Sequence, residues 1–321
     1  MKNYIKTLFY WTFAVLAPAL VFVGVFIGIA KSVNPEWDLR GEDIVELVIN
    51  VQLQRAHRMS TPDLVILGDS SSLTGINAKT LNSELAPLHV ESLATFRGHS
   101  PRGHGAMVED LIAQHKSPKF ILYQVHPGAA QGDPKTIEHL DRFTPQLKIQ
   151  MAKGAFAEDP RDKLLDIFAF VLREPLPGIY GARYGKPIQY AKYLNSDNGT
   201  IVDPYPFGYE TKECGTREPK FEVTEDYKER LRALAGVFAS SGAKVGIMIS
   251  AVPCILETAE YRSFRENFKN LLVETFKDAT FLETPVSYPN DLFATDTHVN
   301  DRGRARFTQD ISPVIKDWVS R

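Results

Sequence analysis

Five short, almost continuously apolar runs do most to limit the folds open to this chain: DLVILG (63–68), VESLATF (90–96), KFILYQVH (119–126), KVGIMIS (244–250) and ATFLET (279–284). A strand exposed on one face alternates apolar and polar residues, whereas a run apolar at nearly every position suits a strand covered on both faces. Helical patterns separate these runs. Ile76 to Leu85 follows the first, Gly103 to His115 the second, and Glu225 to Ser240 precedes the fourth; Glu257 to Phe276 carries Phe264, Phe268, Leu271 and Leu272 on one face before the fifth. Such alternation implies right-handed βαβ units. The expected fold is an α/β three-layer sandwich with a five-stranded parallel sheet, ending in a helix after Asn300 that Pro313 interrupts.

The amino terminus reads differently. Thr7 to Ala30 contains no charged residue and exceeds the ~20 residues that a membrane-crossing helix needs. Lys2 and Lys6 precede it, and Glu36, Asp38, Glu42 and Asp43 follow Lys31. The positive-inside rule therefore places the start in the cytoplasm and the rest of the chain outside, tethered to the cytoplasmic membrane by a single span. A cleavable signal is the competing account, but its apolar region usually runs only ~7–15 residues and no small-x-small site follows. The organisation expected is an anchor (1–33), a connector (34–62) with a helix over Ile44 to Arg58, and one domain (63–321). Residues 127–223 interrupt the strand–helix alternation and are expected to form a cap near the carboxyl ends of the strands. With 37 basic and 39 acidic residues the net charge is -2, so nothing global points to nucleic acid. Cys214 and Cys254 are too few for a disulfide framework and lack CxxC spacing; an oxidising compartment would let them form one bridge.

The chemistry-bearing stretches sit at two strand ends. In open α/β sheets, ligands lie beyond the carboxyl ends of the strands, where strand order reverses. The first strand runs there into GDSSS, Gly68 to Ser72. A serine on a strand-to-helix turn exposes its hydroxyl, and backbone N–H groups beside it favour an oxyanion. Serine needs a base, and the base an orienting acid. LFATDTHVNDRGR, Leu292 to Arg304, supplies both: Asp296 and His298 are two residues apart, on one side of an extended segment, and Asn300-Asp301 opens the helix that would hold the loop. Asp291 and Asp301 are alternative acids. Ser71 and Ser72 read as helix-opening hydroxyls and Asp69 as a cap or loop brace. His99 and His104, in RGHSPRGHG, read as a polar rim. Asp69, Asp296 and His298 also suit a divalent cation, but without a second His or a recognisable spacing. Phosphate binding by GDSSSLTG lacks a Lys and leaves DTHVN unexplained.

Together, GDSS after the first strand and Asp-x-His followed by Asn and a helix near the carboxyl terminus resemble the SGNH (GDSL) hydrolase superfamily, whose sheet is flavodoxin-like. With an amino-terminal anchor, the chain resembles extracytoplasmic proteins that work beside membrane-bound O-acyltransferases in acylating polysaccharides. The likeness covers 63–126 and 244–318. It implies Ser70 as nucleophile, His298 as base and Asp296 as acid, with the N–H groups of Ser70 and Gly98 in the oxyanion hole. It also implies an acyl donor, a polysaccharide acceptor and a membrane acyltransferase partner, with no cofactor or metal. Two features depart from the superfamily pattern. The acid precedes the base by two residues rather than three, as in the alginate acetyltransferase type. The third block offers no Asn after the third strand, reading YQVHPGAA, so Gln124 or His126 would substitute as a donor, or the hole would have two backbone donors only.

Overall fold

The structure, a computed structural model, describes residues 44–96, 99–131, 196–201, 213–218 and 221–321, together with Leu16, Leu20 and Leu194. Thr7 to Ala30, Arg97, Gly98 and most of the 127–223 insertion lie outside the described residues, and with them the expected span and cap. Among those described, no helix is long and apolar enough to cross a membrane.

The sheet is parallel and five-stranded. It contains β1 (Leu64–Gly68), β2 (Val90–Ser92), β3 (Phe120–Val125), β4 (Lys244–Ile249) and β6 (Thr280–Phe281), in the order β2-β1-β3-β4-β6. All four pairings are parallel, with Leu64 beside Val90 and Phe120, and Phe120 beside Lys244. The chain builds leftward from β1 to β2, then crosses back to β3, so strand order reverses between β1 and β3. Five of the expected runs became these strands, with the second and fifth shortened to three and two residues.

Alternation within each strand sorts side chains to two layers. Val65, Leu67, Ile121, Tyr123, Val245, Ile247 and Ile249 face α1 (Ile44–Arg58), α4 (Ser100–Ala113), α5 (Glu225–Ser241) and α6 (Ala259–Thr275). Leu64, Ile66, Leu122 and Met248 face α3 (Ala78–Glu84) and α7 (Asp301–Ser320). Full burial of each such Leu, Ile or Val contributes ~1.5–3 kcal/mol. Helix α2 (Ser70–Gly75) is one short turn between β1 and α3.

Two expectations need correction, and one small element was not foreseen. The helix over Ile44–Arg58 is not a connector: its Ile49, Leu53 and Ala56 sit in the same core cluster as the sheet, and residues 43–321 form one compact unit. Its Gln52 donates to the carbonyls of Ala94 and Gly199, and its Arg55 pairs with Glu91 of β2, closing that sheet edge. Helix α7 does not stop at Pro313. Proline removes the bond to the carbonyl four residues earlier; here Gln309 and Pro313 both lie on the exposed face, where water reaches that carbonyl, while Ile311, Ile315 and Trp318 stay buried. A two-residue parallel pair, β5 (Val252–Pro253) with β7 (Ser287–Tyr288), continues beyond the main sheet and was too short to show any period.

Candidate active site

Gly68 closes β1 against β3. A Cβ there would collide with the Gln124 carbonyl oxygen and press on Ser72, and its φ of 152° lies where L side chains are rare. The backbone can therefore turn sharply into Asp69, which caps α2 by accepting from the Ser71 N–H at 2.8 Å. The three serines have different fates. Ser71 Oγ donates to Asp69 Oδ1 (2.6 Å) and sits 2.5 Å from Ser250 Oγ at the end of β4. Ser72 Oγ is buried. Ser70, at the first position of the helix, is half-buried, and neither its N–H nor its Oγ has a hydrogen-bond partner among the described residues.

A directed network lies under that hydroxyl. Each hydroxyl has one proton. Because Ser71 spends its proton on Asp69, Ser250 donates to Ser71, and Gln124 Nε2 in turn donates to Ser250 at 2.9 Å. The second Asp69 oxygen accepts from the His126 N–H at 2.8 Å, across the point where strand order reverses. Burial pushes the Asp69 carboxyl up, the Ser71 and His126 donors oppose that, and the charge of His298 pulls it down as well. Asp69 is thus a brace that ties the carboxyl ends of β1 and β3 to β4. Behind Ser250, the buried Arg265 of α6 donates to the carbonyls of Ser250 and Thr284.

His298 reaches this turn on a tight loop. Phe293 and Val299 form an antiparallel bridge, the Ala294 N–H donates to the His298 carbonyl (2.8 Å), and the His298 N–H donates to Thr295 Oγ1 (3.0 Å). Val299 packs beside Gly75 of α2, its Cγ2 3.8 Å from where a Cβ would stand. Asn300 secures the loop as expected: it caps α7 through Gly303 N–H (3.1 Å) and donates to the Asp291 carbonyl (2.7 Å). The loop that carries His298 is thus held, through Val299 against Gly75, at the end of the sheet where Asp69 and Ser70 lie.

Asp296 has another partner. The segment is a tight turn, not the extended run that would set Asp296 and His298 side by side, and both Asp296 oxygens accept from the Arg217 guanidinium, one of them at 2.9 Å. Partial burial pushes the Asp296 carboxyl up, and the guanidinium fork supplies the counter-charge. Arg217 lies on a strap that Cys214 joins by a disulfide to Cys254, just after β5. The Gly215 and Arg217 N–H groups donate to the carbonyls of Cys254 and Ile255, and Asn290 bonds both Ile255 N–H (2.8 Å) and the Glu213 carbonyl (2.9 Å). Arg217 and Ser250 escaped sequence reasoning; the one available signal was the Cys214–Cys254 pairing, which brings residue 217 to the strand ends.

The second and third blocks depart further from expectation. Gly98 lies outside the described residues. His99 and His104 are not rim residues: both are buried and both contact Thr95 Oγ1, at 3.2 and 3.0 Å. Their rings meet edge to face, and the His99 ring covers Gly103, where a Cβ would clash. Burial pushes His99 well below the usual range and His104 down to about 4, the latter partly opposed by its bond to the Gly68 carbonyl. Ser100 takes φ 59°, a left-handed conformation costing on the order of 1 kcal/mol in a residue with a Cβ. Gln124, one candidate for the missing Asn, turns inward to Ser250. His126 Nδ1 accepts from the Gly128 N–H (2.9 Å), which assigns the ring proton to Nε2 and leaves a donor there. Among the described residues no cluster of three His, Cys, Asp or Glu groups could hold a metal ion.

No family model and no curated protein matches the chain. Among solved structures it is similar to the psychrotrophic esterase EstA from Pseudoalteromonas sp., crystallised inhibited by monoethylphosphonate, at 13% identity and a TM-score of 0.39 over 80% of this chain and 98% of that one. It is also similar to TesA, at 12% identity and a TM-score of 0.38 over 79% of this chain and 98% of that one.

Proposed function

We propose that this chain catalyses acyl transfer at an ester through Ser70, with His298 as base and Asp296 as the acid that orients it. One observation carries the reading. Of three consecutive serines at the switch point of the sheet, two have their hydroxyls committed or buried, and the third, half-buried, has neither its Oγ nor its N–H bonded among the described residues. A structural turn has no need of that asymmetry; a nucleophile does. His298 takes the Ser70 proton, Oγ adds to the acyl carbonyl, and the Ser70 N–H stabilises the oxyanion, with the Gly98 N–H and the His126 Nε2–H as further donors. Collapse expels the alcohol, protonated by His298, and leaves an acyl-enzyme. Catalytic hydrogen bonds are often long in substrate-free enzymes and tighten only when substrate is bound.

The acceptor reading goes with the apolar amino terminus. A protein tethered outside the cytoplasmic membrane, receiving acyl groups from a membrane-bound O-acyltransferase, would pass them to a hydroxyl of a cell-surface or exported polysaccharide. The test uses the full chain in detergent with p-nitrophenyl acetate and with acetylated and unacetylated oligosaccharides, following intact mass and products for the wild type, Ser70→Ala and His298→Ala. Ser70-dependent acetylation passed to sugar faster than to water supports the transferase. Hydrolysis alone makes it an esterase. No labelling of Ser70 by a phosphonate probe refutes catalysis and leaves a binding partner of the acyltransferase.

A further inference from the structure

One described part of the insertion, Glu213 to Arg217, returns to the sheet as a strap rooted beside the site. Cys214 is bonded covalently to Cys254, which follows β5 and so continues the chain from β4 and Ser250. The Gly215 N–H donates to the Cys254 carbonyl (2.8 Å) and the Arg217 N–H to the Ile255 carbonyl (3.1 Å). The buried Asn290 joins the strap to the loop that carries His298: it donates to the Glu213 carbonyl, accepts from the Ile255 N–H, and its own carbonyl accepts from the Phe293 N–H (3.1 Å). The Phe293–Val299 bridge closes the base of that loop, and Asp296 stands at its tip, where the Arg217 guanidinium bonds both carboxylate oxygens. The pair is wet, with the Arg217 side chain 51% exposed and that of Asp296 31%. Ion pairs this exposed contribute little to stability, so this one is not what holds the fold.

We propose that Arg217 is a positioning residue for the acyl transfer: carried on its disulfide-rooted strap, it fixes the Asp296 carboxylate for His298, and the Cys214–Cys254 bridge makes that fixing depend on oxidation. The inference rests on the Ser70–His298–Asp296 reading and adds to it a residue from a distant part of the chain. The chemistry of the fork suits the role. A planar guanidinium bonding both oxygens sets the plane of the carboxylate, which a point charge such as the lysine ammonium does not. Each carboxylate oxygen keeps a second lone pair, so the fork leaves Asp296 able to accept from an imidazole N–H. A triad acid works by holding its histidine in one tautomer and one orientation; an acid free to rotate at a loop tip would do so poorly. Arg217 is fixed in its turn by the strap behind it. The bridge links residues 40 apart in sequence, and without it the strap keeps only hydrogen bonds to the 254–255 backbone and Asn290, each modest against competing water. Disulfides persist in oxidising surroundings and open in reducing ones, so the acid would be seated only in the former.

The experiment compares wild type, Arg217→Gln, Arg217→Lys, Asp296→Asn and the Arg217→Gln/Asp296→Asn double variant as full chains in detergent, oxidised and after reduction by a phosphine, with p-nitrophenyl acetate as substrate. Arg217→Gln should lower kcat roughly 10–100-fold with KM little changed, as expected when a catalytic group is misplaced, and should unfold at the same urea concentration as wild type. Arg217→Lys keeps the charge but lacks the fork, and should recover only part of the rate. Because Arg217 acts through Asp296, the double variant should be no slower than Asp296→Asn. Reduction should slow wild type toward Arg217→Gln and leave Arg217→Gln itself unchanged. Wild-type rates in Arg217→Gln, full recovery in Arg217→Lys, or a double variant slower than Asp296→Asn overturns the positioning role. A wild type indifferent to reduction, or equal slowing of wild type and Arg217→Gln, overturns the dependence on the bridge. Absence of Ser70-dependent turnover in wild type refutes the enzymatic reading instead, and amide exchange still decides the coupling: Arg217→Gln and reduction should each quicken exchange of the Ala294 and His298 N–H groups that close the loop, and unchanged exchange refutes it.

Discussion

His104 makes the packing beneath the turn after β1 sensitive to acid, and the effect can be sized. The ring is buried, bonded to Thr95 Oγ1, with His99 and Tyr123 packed edge-on around it, and burial holds it neutral down to about 4 from the ordinary 6.5. An unfolded chain binds this proton at 6.5 and the folded one only near 4, so between those values the unfolded state holds more protons and stability must fall as pH falls. The whole interval corresponds to about 3 kcal/mol, of which about 2 kcal/mol is already lost at pH 5. For a domain of this size that is roughly 4–8 °C in melting temperature. The assay is urea unfolding at pH 7.5, 6.0 and 5.0 for wild type and His104→Gln, read as the difference between the two proteins. Asp69, whose raised carboxyl works in the opposite sense, is common to both. The gap between them should narrow by about 2 kcal/mol from pH 7.5 to 5.0. Parallel curves would show that His104 is not held neutral in the folded protein.

Gly68→Ala forces a Cβ into the Gln124 carbonyl, and should cost about 2–4 kcal/mol by chemical denaturation while lowering acylation of Ser70 further than stability alone explains. Ser250→Ala removes the hydroxyl that Gln124 and Ser71 share; leaving a buried amide donor unpaired costs about 1–3 kcal/mol, measured by the same unfolding, and Ser250→Thr should recover part of it. Asn300→Ala deletes the cap of α7 and the bond to the Asp291 carbonyl, with about 1–2 kcal/mol lost and kcat falling more than KM rises, because the loop that carries His298 loosens.

Much of the fold was legible because burial on both sheet faces forces nearly continuous apolar strands, and helices of 15–17 residues show their period. Ile44–Arg58 was read with its correct limits, and Glu225–Ser241 to within a residue. What failed was what period cannot encode. The pattern of α1 reveals an apolar face but not that the face enters this core. Pro313 breaks a helix only where the orphaned carbonyl is buried, and Gln309 is exposed. The site divides in the same way. The positions of Ser70 and His298 follow from the strand ends that carry them, but the direction of Asp296 depends on a turn closed by Thr295 and on an arginine 79 residues away, neither of which spacing contains.

The serine triplet shows why the local motif underdetermines the chemistry. Ser70, Ser71 and Ser72 share one backbone turn and one helix start, so propensity treats them alike. Only tertiary partners separate them, and those partners come from β3 and β4: Gln124 and Ser250 orient the Ser71 hydroxyl toward Asp69, and the His126 N–H takes the other carboxylate oxygen. Asp69 accepts from the Ser71 N–H, the Ser71 hydroxyl and the His126 N–H, and so braces the turn. That division of labour leaves the Ser70 hydroxyl without a hydrogen-bond partner among the described residues. It follows that Ser71 and Ser70 should answer mutation differently: Ser71→Ala should cost stability first and rate second, whereas Ser70→Ala should abolish acylation with little change in the unfolding midpoint. If both variants lost rate and stability in equal proportion, the hydroxyl of Ser70 would be part of the scaffold and the assignment of the nucleophile would be wrong.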